Sequence, residues 1–165
     1  LWFGDDPKHF KKWHHFSKEF IDFRRNFIGT SSKEEKSGDF NSSIAKQIVD
    51  DLAQIERPLA VDVANYFLDM KKVFGEMHRI LKTGAKACII IGNTSLRGVE
   101  ILNAQVAAEQ MQAAGFQKPV FIKREIPNKM ITPYRDLESG KFTGKDNPSK
   151  IRAYEFEYVV VMEKV

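Results

Sequence analysis

The stretch that most limits the fold is Ala87-Cys88-Ile89-Ile90-Ile91, a continuous apolar run entered after Lys82-Thr83-Gly84 and closed by Gly92. Without polar alternation, such a run reads as a strand buried on both faces, in a sheet covered by helices. Cys88 within it is then expected to be a buried core residue. Two further strands follow, Pro119 to Ile126 and Ile151 to Glu163. In the second, Tyr154, Phe156, Tyr158, Val160 and Met162 alternate onto one face. A helix from Gly98 to Ala114, ended by Gly115, is expected between the first two. Three strands make a poor free-standing sheet, so further strands are expected upstream.

The N-terminal part reads as helical. Phe10, Trp13, Phe16, Phe20, Phe23 and Phe27 recur at steps of three and four from Pro7 to Ile28. Asp6 can cap that helix, Pro7 suits its first turn and Gly29 its end. The aromatic stripe is expected to pack on the rest of the protein. Lys8, Lys11, Lys12, Lys18, Arg24 and Arg25 lie on its other faces, as a solvated side or a phosphate-contacting one. A polar loop runs from Thr30 to Gly38. A second helix, Ser43 to Ile55, puts Ile44, Ile48, Leu52 and Ile55 on one face. Pro58 separates it from a third, Leu59 to Leu81, carrying Val63, Phe67, Met70, Phe74, Met77 and Leu81, with Gly84 as its left-handed cap.

Composition narrows the class. The chain has 165 residues, 42% of them hydrophobic, which suffices for one domain with a core. A net charge of +4 is compatible with nucleic acid but does not establish it. One cysteine excludes an internal disulfide and a multi-cysteine zinc site, and fits a reducing cytoplasm. No apolar run approaches the ~18 residues of a membrane span. The opening Leu1-Trp2-Phe3-Gly4 reads as the interior of a longer chain.

Several motifs then carry a resemblance. Tyr66-Phe67-Leu68-Asp69-Met70, with Phe74-Gly75-Glu76-Met77-His78-Arg79-Ile80-Leu81-Lys82-Thr83-Gly84, resembles the helix before the fifth strand of S-adenosylmethionine-dependent methyltransferases. Thr83 and Ala85 stand where Pro and a second Gly are usual. The strand end Ile89-Ile90-Ile91-Gly92-Asn93 is similar to DNA adenine-N6 and cytosine-N4 methylases and to tRNA guanine-N2 methylases. So are Gly115-Phe116, Ile126-Pro127-Asn128-Lys129 and Tyr154 to Lys164, which would be the sixth and seventh strands. Leu1 to Pro7 resembles the segment shortly after the catalytic Pro-Pro-Tyr. Residues 31–55 have no counterpart in the resemblance.

The resemblance implies an α/β fold: the last three strands of a partial Rossmann-like methyltransferase sheet. Residues 1–58 form a helical section and 59–165 the C-terminal half of the domain. It implies a DNA methyltransferase that transfers a methyl group from S-adenosyl-L-methionine to an exocyclic base amine, with tRNA as the second choice of substrate. The implied partners are that nucleic acid and a missing N-terminal half, with no membrane. The donor-binding Gly-x-Gly turn is absent and none of the six prolines are adjacent, so no catalytic or donor-binding residue is assigned. The fragment is expected to be inactive and not to bind the donor. The alternative is a non-enzymatic nucleic-acid-binding module.

Candidate contacts follow. Asn93-Thr94-Ser95 ends the buried strand, where ligands of open α/β sheets bind. It either faces the base, through Asn93, or forms a capping loop with Thr94 or Ser95 as the cap. Pro127 to Lys150 carries Lys129, Arg135, Lys141, Lys145 and Lys150 with Tyr134 and Phe142. It is either a phosphate-gripping segment, led by Lys129, Arg135 and Lys141, or a solvated hairpin. His9, His14 and His15 near Asp5 and Asp6 suit solvated or capping roles better than a metal, since adjacent helix positions diverge by about 100°.

Overall fold

The computed structural model describes residues 23, 27–29, 34–126, 132, 134–152 and 156–165. The expected helix over Pro7 to Ile28, its histidines and most of its stripe lie outside them. Phe23 and Phe27 are described: their rings meet edge to face at 4.9 Å, and each is 46% exposed. Gly29 has a positive φ of 74°.

Among the described residues from 34 onward, the first helices are α1 (Ser43–Ile55) and α2 (Arg57–Ile80). Ser42 caps α1, its hydroxyl accepting from the Ala45 N–H at 2.9 Å. Pro58 sits in the first turn of α2 rather than before it, where its missing N–H costs nothing. At the other end of α2, Leu81 is extended and Gly84 belongs to the next turn, donating to the Lys164 carbonyl at 2.7 Å. The Lys164 ammonium does the capping expected of Gly84, donating to the carbonyls of His78 at 2.6 Å and Leu81 at 2.9 Å.

The remaining elements are β1 (Lys86–Ile91), β2 (Thr94–Leu96), β3 (Val99–Ile101), α3 (Asn103–Ala113), β4 (Phe116–Glu125), β5 (Tyr134–Asp136), β6 (Lys150–Arg152) and β7 (Phe156–Lys164). The chain is a mixed α/β protein whose strand pairs are antiparallel. Its main sheet has the order β1-β7-β4. Since β1 and β4 both run opposite to β7, they are parallel to each other, with the last strand between them.

The region expected as a helix from Gly98 begins as a hairpin. Arg97 and Gly98 take positive φ values of 51° and 79°, the turn that matches strand twist, and pair β2 with β3 before α3 starts. The expected strand from Ile151 is likewise divided. Its start, β6, pairs with β5, and β7 begins at Phe156.

The sheet is covered by α2 and α3 on one face. Phe74, Ala87, Ala107, Met111, Phe116, Val160 and Met162 form that core. The opposite face carries the rows Cys88–Val161–Val120 and Ile90–Val159–Ile122, set by the strand register. Ile90 is 60% exposed and Val120 and Ile122 are each 53% exposed. β1 is therefore not buried on both faces, and Cys88 is exposed rather than a core residue. The described helices flank one side only, so an apolar run that suits two covered faces meets one.

A second core joins α1 and α2 to the hairpin and α3 through Ile48, Leu52, Val63, Phe67, Ile101 and Val106. A polar joint supports it. The Glu109 carboxylate accepts from Ser42 Oγ at 2.5 Å and the Ile44 N–H at 3.2 Å, at the N-terminus of α1. Gln110 donates to the carbonyls of Phe40 and Phe67, both at 3.0 Å. These contacts hold α1, unplaced by the sequence, on the same core as α3.

Candidate functional site

A cleft of about 260 Å³ opens at the carboxyl end of β1. The turn after β1 gives it Asn93 and Thr94, and the hairpin gives Ser95 and Glu100. Gln105 enters from the first turn of α3, Arg152 from β6, and Phe156 and Tyr158 from the start of β7. The register explains the convergence: Ile91 pairs with Tyr158, so the end of β1 and the beginning of β7 share one edge.

Asn93 does two things there. Its carbonyl oxygen accepts from the Ala104 N–H at 3.0 Å, and its amide donates to Gln105 Oε1 at 3.0 Å. Asn103 returns the contact by donating to the Gly92 carbonyl at 2.9 Å. Asn93 thus caps α3 across the turn while lining the cleft. Thr94 and Ser95, the expected caps, lie in β2 instead. The Thr94 hydroxyl is buried and has no hydrogen-bond partner among the described residues.

The aromatic side of the cleft is Phe156 and Tyr158. The Lys123 ammonium lies 3.8 Å from the Phe156 ring centre, on a strand neighbouring β7. Rings, amides, a carboxylate and a guanidinium together suit a planar ligand with polar edges. Sequence reading reached Asn93 but not Glu100, Gln105, Arg152, Phe156 or Tyr158 as site residues. Glu100 is obscured because the sequence reads as a helix from Gly98, although Arg97-Gly98 is the available turn signal.

The connection between β4 and β7 is a built module over residues 134–152. Tyr134 pairs with Arg152 and Asp136 with Lys150. The Asp136 carboxylate accepts from the Ser139 N–H, Ser139 Oγ and Asn147 Nδ2, each at 2.7 Å. These bonds, that of the Ser139 N–H first, lower its pKa to about 2. The Arg135 guanidinium lies 4.4 Å from the Phe142 ring centre and donates to the Gly140 carbonyl at 2.6 Å. Among the expected phosphate contacts, Arg135 is thus engaged within the module, Lys141 is exposed, and Lys129 lies outside the described residues.

Among the described residues, no helix is long and apolar enough to cross a membrane. Comparison of the chain with protein-family models, curated proteins and solved structures found no match.

Proposed function

We propose that the chain is the C-terminal part of an S-adenosylmethionine-dependent methyltransferase acting on an exocyclic amine of nucleic acid, most directly DNA. The observation that carries this reading is the cleft at the carboxyl end of β1, bounded by Asn93 and faced by Phe156 and Tyr158. Ligands of open α/β sheets bind beyond the carboxyl ends of strands. A base displaced from its stack needs ring faces and polar groups at its edge.

The sheet supports the same reading of a partial Rossmann-like domain. Its two outer strands differ. β4 is blunted by Pro119 and by a register shift between Gln117 and Val120, with Lys118 at a φ of 55°. Such features end a sheet. β1 pairs with β7 through six consecutive residues without a shift and has no proline. Its other edge can take a further strand, and the exposed apolar rows beneath can take a further layer.

Among the described residues, the turn after β1 does not fit S-adenosylmethionine. A donor site needs a Gly-rich turn after a strand. The turn after β1 has one glycine, Gly92, and its Asn93 amide group is bonded to α3. The chain's part is to receive and orient the base. The donor site and the turn that grips the amine belong to residues ahead of Leu1 in this reading.

Two measurements test it. Calorimetric titration of the 165-residue chain with S-adenosylmethionine is expected to be silent. The same chain preceded by its encoded upstream residues is expected to transfer labelled methyl to DNA or tRNA. A saturable donor site on the short chain, competed by S-adenosylhomocysteine, overturns the division of labour. Absence of transfer by the longer protein, with DNA binding retained by the short chain, favours a non-enzymatic binding module.

A further inference from the structure

The turn of the β2–β3 hairpin carries a side chain that bonds to two other parts of the molecule. Arg97 has a positive φ of 51°, a conformation that a non-glycine residue rarely adopts. Its Nε donates to Glu56 Oε2 at 2.6 Å. Its Nη1 donates to the carbonyl oxygen of Glu138 in the 134–152 module. Glu56 is the junction residue of the two helices: its N–H bonds to the Leu52 carbonyl at the end of α1, and its carbonyl accepts from Ala60 in α2 at 3.1 Å. Its carboxylate does not cap α2, where an acid at that position would ordinarily turn, and goes to Arg97 instead.

Both ends of this bridge lead to the cleft. The hairpin that Arg97 turns contributes Thr94, Ser95 and Glu100 to one wall. The module that it holds contributes Arg152 to the other. The Arg97 and Glu56 side chains keep only 28% and 37% of their exposure, so solvent screens this pair less than a surface one. A guanidinium suits the task because its planar fork donates in two fixed directions at once, which a lysine ammonium on a flexible stem does not reproduce.

We propose that Arg97 is a positioning residue that sets the separation of the two cleft walls by locking the 134–152 module to the α1–α2 junction. The functional meaning of the cleft rests on the reading above, but the lock itself is a property of this chain and is tested without any ligand. Binding in the cleft and packing at the helix junction are coupled through it. A change at Glu56 is felt in a module that Glu56 does not touch.

The test is backbone hydrogen exchange on the whole 165-residue chain, with a distance measurement across the cleft. In the native protein, the Leu137 N–H bonds to the Ser149 carbonyl at 2.9 Å and the Thr143 N–H to the Tyr134 carbonyl at 3.1 Å, and these amides report on the module. In Arg97→Ala they are expected to exchange about ten-fold faster, with α1 and α2 unchanged. Arg97→Lys falls between native and Arg97→Ala. Glu56→Gln accelerates the same amides by about three-fold, and adding it to Arg97→Ala has no further effect, the non-additivity of residues acting as one unit. Spin labels on Glu100→Cys and Lys145→Cys, in a Cys88→Ser background, should give one narrow distance that broadens in Arg97→Ala. Unchanged module exchange and an unchanged distance in Arg97→Ala overturn the lock. A response to Arg97→Ala without one to Glu56→Gln overturns the coupling to the helix junction. Failure of the methyl-transfer assay bears on neither outcome.

Discussion

Gly115 shows how one residue fixes a junction. It ends α3 with a φ of 109°, and a Cβ placed there would lie 2.7 Å from His78 Nε2. The His78 ring in turn meets the buried Phe116 edge to face at 5.1 Å. Gly115→Ala therefore strains the backbone and pushes a ring that is already packed. It is expected to cost about 1–3 kcal/mol, read as a fall in the unfolding midpoint of roughly 2–4 °C per kcal/mol for a chain of this size. An unchanged midpoint would mean that the turn relaxes freely. The glycine was legible in the sequence as a helix end; its contact with His78 was not, because it joins residues far apart in the chain. Cys88 marks a different limit. Its apolar neighbours fix it in a strand, but whether its face is covered depends on what packs there, which a run of apolar letters does not record. At Asn93 the sequence left two roles open, ligand-facing and capping. The structure makes Asn93 rather than Thr94 or Ser95 the cap, at a position that lines the cleft.

At the scale of elements, the α1 span was readable because its apolar residues keep helical period and Ser42 caps it. The β2–β3 hairpin was not, because Val99, Ile101 and the following alanines fit a continuous helix unless the Arg97-Gly98 turn is given priority. From sequence, Pro127 to Lys150 reads as a long connection that is either phosphate-gripping or a solvated hairpin, whereas the structure shows an ordered module over residues 134–152. Its order comes from side-chain bonds that composition does not reveal, chiefly those to Asp136. Because the folded pKa of Asp136 is lowered to about 2 from 3.8, this carboxylate stabilises the folded module above the unfolded value. That contribution is lost as the pH falls through the folded value, so the window lies between about pH 4 and pH 2. The amide signals of Ser139 and the side-chain amide of Asn147 are expected to shift across that window by nuclear magnetic resonance. Asp136→Asn should remove the transition and speed exchange of the module's amides at neutral pH. A transition of unchanged position in Asp136→Asn would assign it to another group.

For the whole molecule, the three-stranded order β1-β7-β4 leaves one plain edge, at β1, and one exposed apolar face. In the proposed function, the rest of the enzyme meets the sheet on that edge and face, while nucleic acid meets the module. The basic residues assigned to that contact from sequence do not stand alike. Lys141 is exposed, whereas Arg135 is half-buried over Phe142 and bonded to Gly140. Each phosphate contact releases condensed counterions, so its loss lowers the slope of log affinity against log salt by about one unit. Lys141→Ala is therefore expected to flatten the slope for a DNA duplex by about one, with little change in the unfolding midpoint. Arg135→Ala acts differently: it removes the stack on Phe142 and frees the Gly140 carbonyl, so faster exchange across residues 134–152 should accompany any loss of affinity. The pair of variants separates contact from scaffold. If Arg135→Ala flattens the slope by about one while module exchange is native, then Arg135 reaches phosphate and its internal bonds are incidental. If Lys141→Ala leaves affinity unchanged at low salt, where each contact weighs most, the module is a structural wall of the cleft and the phosphate backbone runs elsewhere.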